Sequence, residues 1–310
     1  MESAHVFGEF EQLVGVYRPG KNELTAQNDV AVIMLTAGML HSTGPFRMYV
    51  NFSNQLAEQG FASFRFDLSG IGESLPVGSA GSSLQRAASE AGQAMDFLET
   101  EFGIKRFILM GLCSGADDAF HTANVDSRVD GVILLDGCGY PTGRFKLLRI
   151  WKHYLPRLLN PKFLLSKLGR LGKSNSTVSP ASLAFEDDIR EFPSRDVAAK
   201  QLQGLTDRGA KLNFVYTGGV NWYYNYEQQF EDMFADVDFK GNVSIEYYPH
   251  MDHVAFLVED RKELVDALVA WTKKQFVSQE KPEDQSSQNT PIIPLIEMPT
   301  GIGATSTESI

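Results

Sequence analysis

The chain has 310 residues, a formal net charge of −11 and only two cysteines, Cys113 and Cys138. Two cysteines exclude a disulfide framework, and an acidic chain lacks the broad basic face of a nucleic-acid-binding protein, so we predict no nucleic-acid partner. We find no signal peptide, no apolar run long enough to span a bilayer and no internal repeat, and therefore predict a cytoplasmic protein.

Two apolar runs in the first part of the chain predict buried strands. The first run, residues 31–36, is followed by a polar loop at residues 37–47. The second run, residues 61–66, leads into Asp-Leu-Ser-Gly-Ile-Gly-Glu-Ser at residues 67–74. The two glycines of this turn are also typical of a dinucleotide-binding loop, but Leu75 stands where the third glycine should be, so we predict no bound cofactor.

The segment Gly-Leu-Cys-Ser-Gly at residues 111–115 is the most informative motif. It follows an apolar run at residues 107–110 and precedes a predicted helix at residues 116–124. Small residues two places before and after a nucleophile let a strand turn sharply into a helix and lift one side chain clear of the sheet. The lifted side chain is then Cys113 and not Ser114. A buried cysteine between two structural glycines is the alternative.

A basic stretch follows the next predicted strand, residues 132–135, which ends at Asp136. Between Gly137 and Phe185 the chain has nine Lys or Arg residues and no Asp or Glu. Its apolar residues and two prolines predict short amphipathic helices, and we assign residues 140–205 to a basic helical insertion. Such an insertion suits an acyl chain, an acidic carrier protein or an anionic membrane surface, and a purely solvated helical segment is the alternative.

Two further runs, residues 213–217 and 243–248, predict strands near the end of the chain. The first is followed by Gly-Gly-Val-Asn-Trp, which contains no carboxylate. The second is followed by a loop with two histidines, His250 and His253. No additional His or Cys cluster accompanies them, so we predict no metal site.

The C-terminal part divides into a helix and a tail. A last helix is predicted from about residue 261 to residue 276. Residues 277–310 are rich in Ser, Gln, Glu, Thr and Pro, a composition that cannot bury enough apolar surface to offset the cost of ordering. We therefore predict a disordered tail.

The polar loop after the first strand, the turn at residues 67–74 and the Gly-Leu-Cys-Ser-Gly segment together resemble motifs of α/β-hydrolases. They are most similar to uncharacterised bacterial hydrolases near the serine-aminopeptidase-like and exosortase-associated groups. The resemblance implies an α/β protein with the α/β-hydrolase fold, a mostly parallel central sheet with helices on both faces and a helical cap insertion. Residues 1–139 and 206–276 would form the core.

The resemblance also implies a set of site residues. The nucleophile is Cys113, and the general base is His253, with His250 as its competitor. The candidate oxyanion donors are the backbone N–H groups of Gly38, Met39 and Ser114, and the candidate substrate contacts are His41, Arg47 and Trp222. The usual place of the acid has no carboxylate. Asp136 is the best substitute, Asn221 is an alternative that would orient the imidazole with an amide, and a Cys-His pair without a third residue is the remaining alternative.

A cysteine nucleophile predicts acyl transfer from a thioester or activated ester through an acyl-cysteine intermediate, ending on water or on another nucleophile. The predicted partner is a small-molecule acyl substrate, free or bound to a carrier protein. One alternative is a catalytically silent binding module. Another is a small ester or lactone hydrolase, since dienelactone hydrolases resemble this chain in having cysteine at the elbow.

Overall fold

Eight strands form one sheet in the computed structural model, which describes residues 1–21, 29–78, 81–153 and 192–277. The strands are β1 (Ser3–Phe7), β2 (Leu13–Arg18), β3 (Val30–Leu35), β4 (Ala62–Asp67), β5 (Arg106–Leu112), β6 (Val129–Leu135), β7 (Lys211–Thr217) and β8 (Val243–Tyr248). Their order across the sheet is β1-β2-β4-β3-β5-β6-β7-β8. Strand β2 is antiparallel to both of its neighbours, and all pairs from β4 to β8 are parallel.

Helices cover both faces of this sheet, as the sequence predicts. They are α1 (Met48–Glu58), α2 (Ser83–Phe102), α3 (Ser114–Val125), α4 (Gly143–His153), α5 (Arg195–Asp207), α6 (Gln229–Met233) and α7 (Val258–Phe276). One buried cluster joins a face of the sheet to α1 and α7, and a second joins the opposite face to α2, α3 and α5. None of the described helices is both long enough and apolar enough to cross a membrane.

The central strands are buried on both faces, which explains why apolar runs in the sequence predict them. Strand β3 consists entirely of apolar residues and is buried along its whole length. A parallel strand covered by helices on both sides requires such a continuous apolar run. Strand β1 lies at the sheet edge with only its last residue, Phe7, buried. Its sequence therefore has no apolar run from which a strand could be predicted.

Helix α5 lies inside the range that the sequence assigns to the cap. Ala198, Leu202 and Leu205 of this helix are buried in the core beside α3. The predicted boundary at residue 205 therefore lies within a helix that packs on the core, and the division of the chain into core and cap stays a prediction. Of the remaining cap residues, 154–191 lie outside the described residues, as do residues 278–310 of the predicted tail.

The parallel strands bring their carboxyl ends to one edge of the sheet. Leu112 at the end of β5 pairs with Leu135 at the end of β6, and Leu135 pairs with Val215 near the end of β7. Ligands of open α/β sheets bind at this edge. The loops after β3, β5, β6, β7 and β8 therefore converge on the place where the predicted site residues stand.

Candidate active site

Cys113 occupies the sharp turn between β5 and α3. Its backbone has φ 56° and ψ −120°, a conformation that L-residues rarely adopt and that costs about 1–3 kcal/mol. The Cys113 N–H donates to the carbonyl oxygen of Leu135 at 2.8 Å, which holds the turn against β6. A Cβ added to Gly111 would lie 2.0 Å from the carbonyl oxygen of Gly115, so only small residues allow this turn to close. Cys113 therefore stands at the turn itself, with its side chain half-buried.

His253 links Asp136 to Cys113. Its Nδ1 atom lies 2.8 Å from Asp136 Oδ2, and because a carboxylate only accepts hydrogen bonds, Nδ1 carries the proton. The Asp136 hydrogen bond and a second one with the Cys113 side chain raise the pKa of His253 from 6.5 to about 9, against the effect of burial. Since Nδ1 is engaged by Asp136, Nε2 is the nitrogen that can serve Cys113.

Asp136 is fully buried, and Thr217 at the end of β7 donates two hydrogen bonds to its side chain. The Thr217 N–H donates to Oδ1 at 2.7 Å, and the Thr217 hydroxyl donates to Oδ2 at 2.6 Å. The Tyr223 hydroxyl donates to the Asp136 carbonyl oxygen at 2.8 Å. These donors fix the orientation of the Asp136 side chain toward His253. Sequence reasoning missed Thr217, because a threonine that ends an apolar strand carries no signal of this role.

The loop after β7 packs against the loop that carries His253. A Cβ added to Gly219 would lie 2.2 Å from the backbone nitrogen of His253. The loop that carries His253 therefore packs directly on the backbone of Gly219 and leaves no room for a side chain. Asp136 reaches the imidazole from β6 instead.

Replacing Gly219 with alanine is expected to lower the turnover rate about 100-fold. The new methyl group has to push the His253 backbone away by about 1 Å, and a displacement of this size costs about 10² in rate. The measurement is the steady-state rate of the variant with the best substrate. Gly204→Ala is the matched control, since a Cβ on this residue of α5 meets nothing within 4 Å. Equal rates in both variants would contradict the proposed packing constraint.

Two hydrogen bonds hold the loop at residues 37–47. The Gly38 N–H donates to the Ser114 hydroxyl oxygen at 2.7 Å, and the Ser42 N–H donates to Asp67 Oδ1 at 2.6 Å. The predicted oxyanion donor Gly38 thus directs its N–H at the side chain that follows Cys113. The Met39 side chain points into solvent and is 91% exposed.

The three predicted substrate contacts lie at the surface. His41 is exposed, and its Nδ1 lies 3.0 Å from Thr43 Oγ1. Arg47 is exposed in a left-handed backbone conformation just before α1. Trp222 is partly exposed and packs edge to face on Tyr223, the residue that holds the Asp136 backbone. Their role as substrate contacts stays a prediction.

Of the competing candidates, His250 and Asn221 are placed differently from His253 and Asp136. His250 is exposed, with Nε2 3.4 Å from Glu263 Oε2 on α7. Asn221 is exposed after the short 3-10 turn that follows β7, whereas Asp136 accepts the hydrogen bond from the imidazole. Within the described part of the chain, no group of three or more His, Cys, Asp or Glu side chains has a metal-binding arrangement.

An apolar rim borders the loops that carry Gly38 and His253; we define it as Met39, Leu40, Phe46, Phe256 and Leu257, all exposed. The Phe46 and Phe256 rings meet edge to face with centroids 5.3 Å apart, which joins the two loops. The Arg261 guanidinium lies 5.0 Å from the centre of the Phe46 ring. Exposed apolar residues on two loops that touch each other are typical of a surface that contacts an apolar ligand or partner.

No family model matches the sequence, and no curated protein is significantly similar to it. Solved structures do share its fold. The mouse alpha/beta hydrolase domain-containing protein 10 is 16% identical with a TM-score of 0.52, and the match covers 88% of this chain and 99% of that one. Proline iminopeptidase from Mycobacterium smegmatis is 13% identical with a TM-score of 0.52, covering 88% and 98%. The esterase domain of a Rhodothermus marinus protein is 14% identical with a TM-score of 0.51, again covering 88% and 98%. The predicted α/β-hydrolase fold is thus confirmed.

Proposed function

Since the chain has the α/β-hydrolase fold, we propose that it is a hydrolase or acyltransferase with Cys113 as its nucleophile. The substrate is an acyl thioester or activated ester, and the reaction passes through an acyl-cysteine intermediate. The observation that supports this proposal is the hydrogen-bonded series from Asp136 through His253 to Cys113. An activated nucleophile needs a base within hydrogen-bond reach and a third group that orients the base, and this series has both.

The first half of the proposed reaction forms the acyl enzyme. His253, with its pKa raised to about 9, is an imidazolium at neutral pH, and its charge stabilises a thiolate at Cys113. The thiolate attacks the carbonyl carbon, the new C–S bond forms, and the carbonyl electron pair moves onto oxygen. When the tetrahedral intermediate collapses, the leaving thiolate or alkoxide takes a proton from His253 Nε2.

The second half releases the acyl group. Neutral His253 accepts a proton from water, or from an acceptor alcohol, amine or thiol, as that molecule attacks the acyl-cysteine carbonyl. Collapse of the second tetrahedral intermediate breaks the C–S bond, and the Cys113 thiolate is restored beside the imidazolium. Asp136 keeps Nδ1 protonated throughout, so Nε2 is the only ring nitrogen that exchanges protons.

The substrate class follows from the nucleophile and the apolar rim. A thiolate exchanges readily with a thioester because the bond formed and the bond broken are both C–S bonds. The apolar rim provides an apolar surface next to the loops that carry Gly38 and His253, which suits a medium or long acyl chain. The basic residues Arg144, Lys146 and Arg149 are exposed on α4, which favours an acyl group presented on an acidic carrier protein.

The alternative of a silent binding module is less well supported. A binding module has no need for a histidine that contacts both a buried carboxylate and a cysteine thiol. The hydrogen bond between His253 and Cys113 is the arrangement that nucleophilic catalysis requires.

The test is to map acyl adducts by mass spectrometry after brief exposure to acyl-coenzyme A thioesters from acetyl to palmitoyl. We expect an adduct with the mass of the acyl group on the peptide that contains Cys113, and faster formation with longer chains. The matched control is Cys138→Ala, which removes the other, buried thiol and is expected to give the same adduct.

Three other outcomes would contradict the proposed function. Preference for acetyl over longer chains would replace the acyl-thioester class by small esters or lactones. If the adduct disappears in Cys138→Ala, the nucleophile is Cys138 and the assignment of Cys113 is wrong. Absence of both adduct and turnover across the series would favour the binding module.

A further inference from the structure

The hydrogen bond between Gly38 and Ser114 changes which groups can stabilise the reaction intermediate. In this fold one N–H from the loop after β3 and one from the residue after the nucleophile usually receive the oxyanion. Here the Gly38 N–H donates to the Ser114 hydroxyl oxygen at 2.7 Å. The donor from the loop is therefore already engaged by a side chain next to Cys113.

A hydroxyl group that accepts a hydrogen bond keeps its own proton for donation. Donation by the Gly38 N–H also polarises the Ser114 O–H group, which makes it a stronger donor. The Ser114 backbone N–H is at the first residue of α3, where amides have no acceptor within the helix. Ser114, the residue that follows Cys113, can thus present two donors, its main-chain N–H and its side-chain O–H.

We propose that the Ser114 hydroxyl is a catalytic hydrogen-bond donor to the oxyanion, with the Gly38 N–H acting through it. This inference rests on the proposed function, because it assigns a role in the same acyl-transfer reaction. The loop after β3 then contributes by orienting and polarising Ser114. The hydrogen bond from Ser42 to Asp67 holds that loop in place.

Two other roles for the hydroxyl predict different results. If Ser114 only blocks the Gly38 N–H and has to be displaced by substrate, its removal raises the rate. If Ser114 only fastens the loop to the elbow, its removal disturbs every reaction of Cys113. A donor role predicts a loss that is restricted to reactions that build an oxyanion.

The experiment compares two reactions of Cys113 in Ser114→Ala. The first is turnover of the acyl thioester that the wild-type protein uses best. The second is alkylation by iodoacetamide, which displaces iodide from carbon and forms no oxyanion. We expect kcat to fall about 100- to 1,000-fold, as for the loss of one oxyanion donor, with KM and the alkylation rate changed less than about twofold. Ser114→Thr, which retains a hydroxyl, is expected to recover most of kcat.

The remaining outcomes overturn the inference. A kcat in Ser114→Ala that equals or exceeds the wild-type value would assign the blocking role. A parallel fall in turnover and alkylation would assign the fastening role. If the wild-type protein itself forms no Cys113 adduct, the proposed function is wrong. If only the role of Ser114 is wrong, the wild-type protein still turns over the acyl thioester.

Discussion

Cys113→Ala is expected to lower kcat/KM for the best acyl thioester by about 10⁴-fold or more. Alanine removes the atom that forms the covalent bond, and no other step of the proposed reaction can proceed without it. The backbone strain at φ 56° affects cysteine and alanine alike, so the thermal unfolding temperature should change by only a few degrees. Steady-state kinetics and thermal unfolding of the purified variant are the two measurements.

The serine variant distinguishes a thiolate mechanism from one in which His253 first removes a proton. Cys113→Ser keeps a nucleophile of similar shape, but its hydroxyl has to lose a proton to neutral His253. Because the pKa of His253 is raised, the histidine is mostly protonated at neutral pH. The residual activity of Cys113→Ser should therefore increase as the pH rises and His253 becomes neutral. Retention of more than about a tenth of wild-type activity by Cys113→Ala would refute the assigned nucleophile.

Asp136→Asn is expected to lower kcat by about 10²- to 10⁴-fold with little change in shape. The Thr217 N–H donates to Oδ1, so the asparagine keeps its oxygen there and turns its NH₂ group toward His253. An NH₂ group donates to Nδ1, which moves the ring proton to Nε2 and places the wrong tautomer beside Cys113. The loss should be smaller than for a serine nucleophile, because a thiol ionises more easily.

The pH dependence of thiol alkylation gives this variant an independent readout. The Asp136 hydrogen bond is the largest contribution to the raised pKa of His253, so its loss lowers that pKa from about 9 toward 6.5. Between these two pH values the wild-type histidine is an imidazolium and the histidine of the variant becomes neutral. Iodoacetamide should therefore alkylate Cys113 more slowly in Asp136→Asn throughout this window.

Asp130→Asn is the matched control for that experiment. It makes the same substitution near the opposite end of β6, where the side chain forms a partly exposed ion pair with Arg106. Such pairs contribute about 0–1 kcal/mol, so activity and alkylation should be unchanged. If Asp130→Asn and Asp136→Asn alkylate at the same rate, the proposed role of Asp136 is wrong.

The sequence predicted those elements whose formation depends on residues close together in the chain. The apolar runs of the central strands and the glycines around Cys113 act within a few residues, and the observed β3, β5 and α3 lie where the sequence places them. Asp136 could be proposed because it ends a strand. The choice between Asp136 and Asn221 could not be made, since it depends on β6 and β7 being neighbours.

Contacts between distant segments could not be read from the sequence. Thr217 reaches Asp136 only because their strands pair in parallel, with Leu135 opposite Val215. The hydrogen bond between Gly38 and Ser114 joins the loop after β3 to the first residue of α3, 76 residues further along the chain. From the sequence, helix α5 is predicted as part of the amphipathic insertion, because its packing on the core depends on residues far away in the chain.

Cys113, Asp136 and His253 are carried by strands of unequal stability. Cys113 and Asp136 stand at the ends of β5 and β6, which are adjacent in the interior of the sheet, whereas His253 follows β8, its terminal strand. Every residue of β8 is only partly buried, and strands of this kind open at lower free-energy cost than interior ones. Fluctuations therefore change the distance from the histidine to its two partners more than the distance between those partners. Heat or mild denaturant should therefore separate His253 from Cys113 and Asp136 first, while Cys113 and Asp136 keep their spacing.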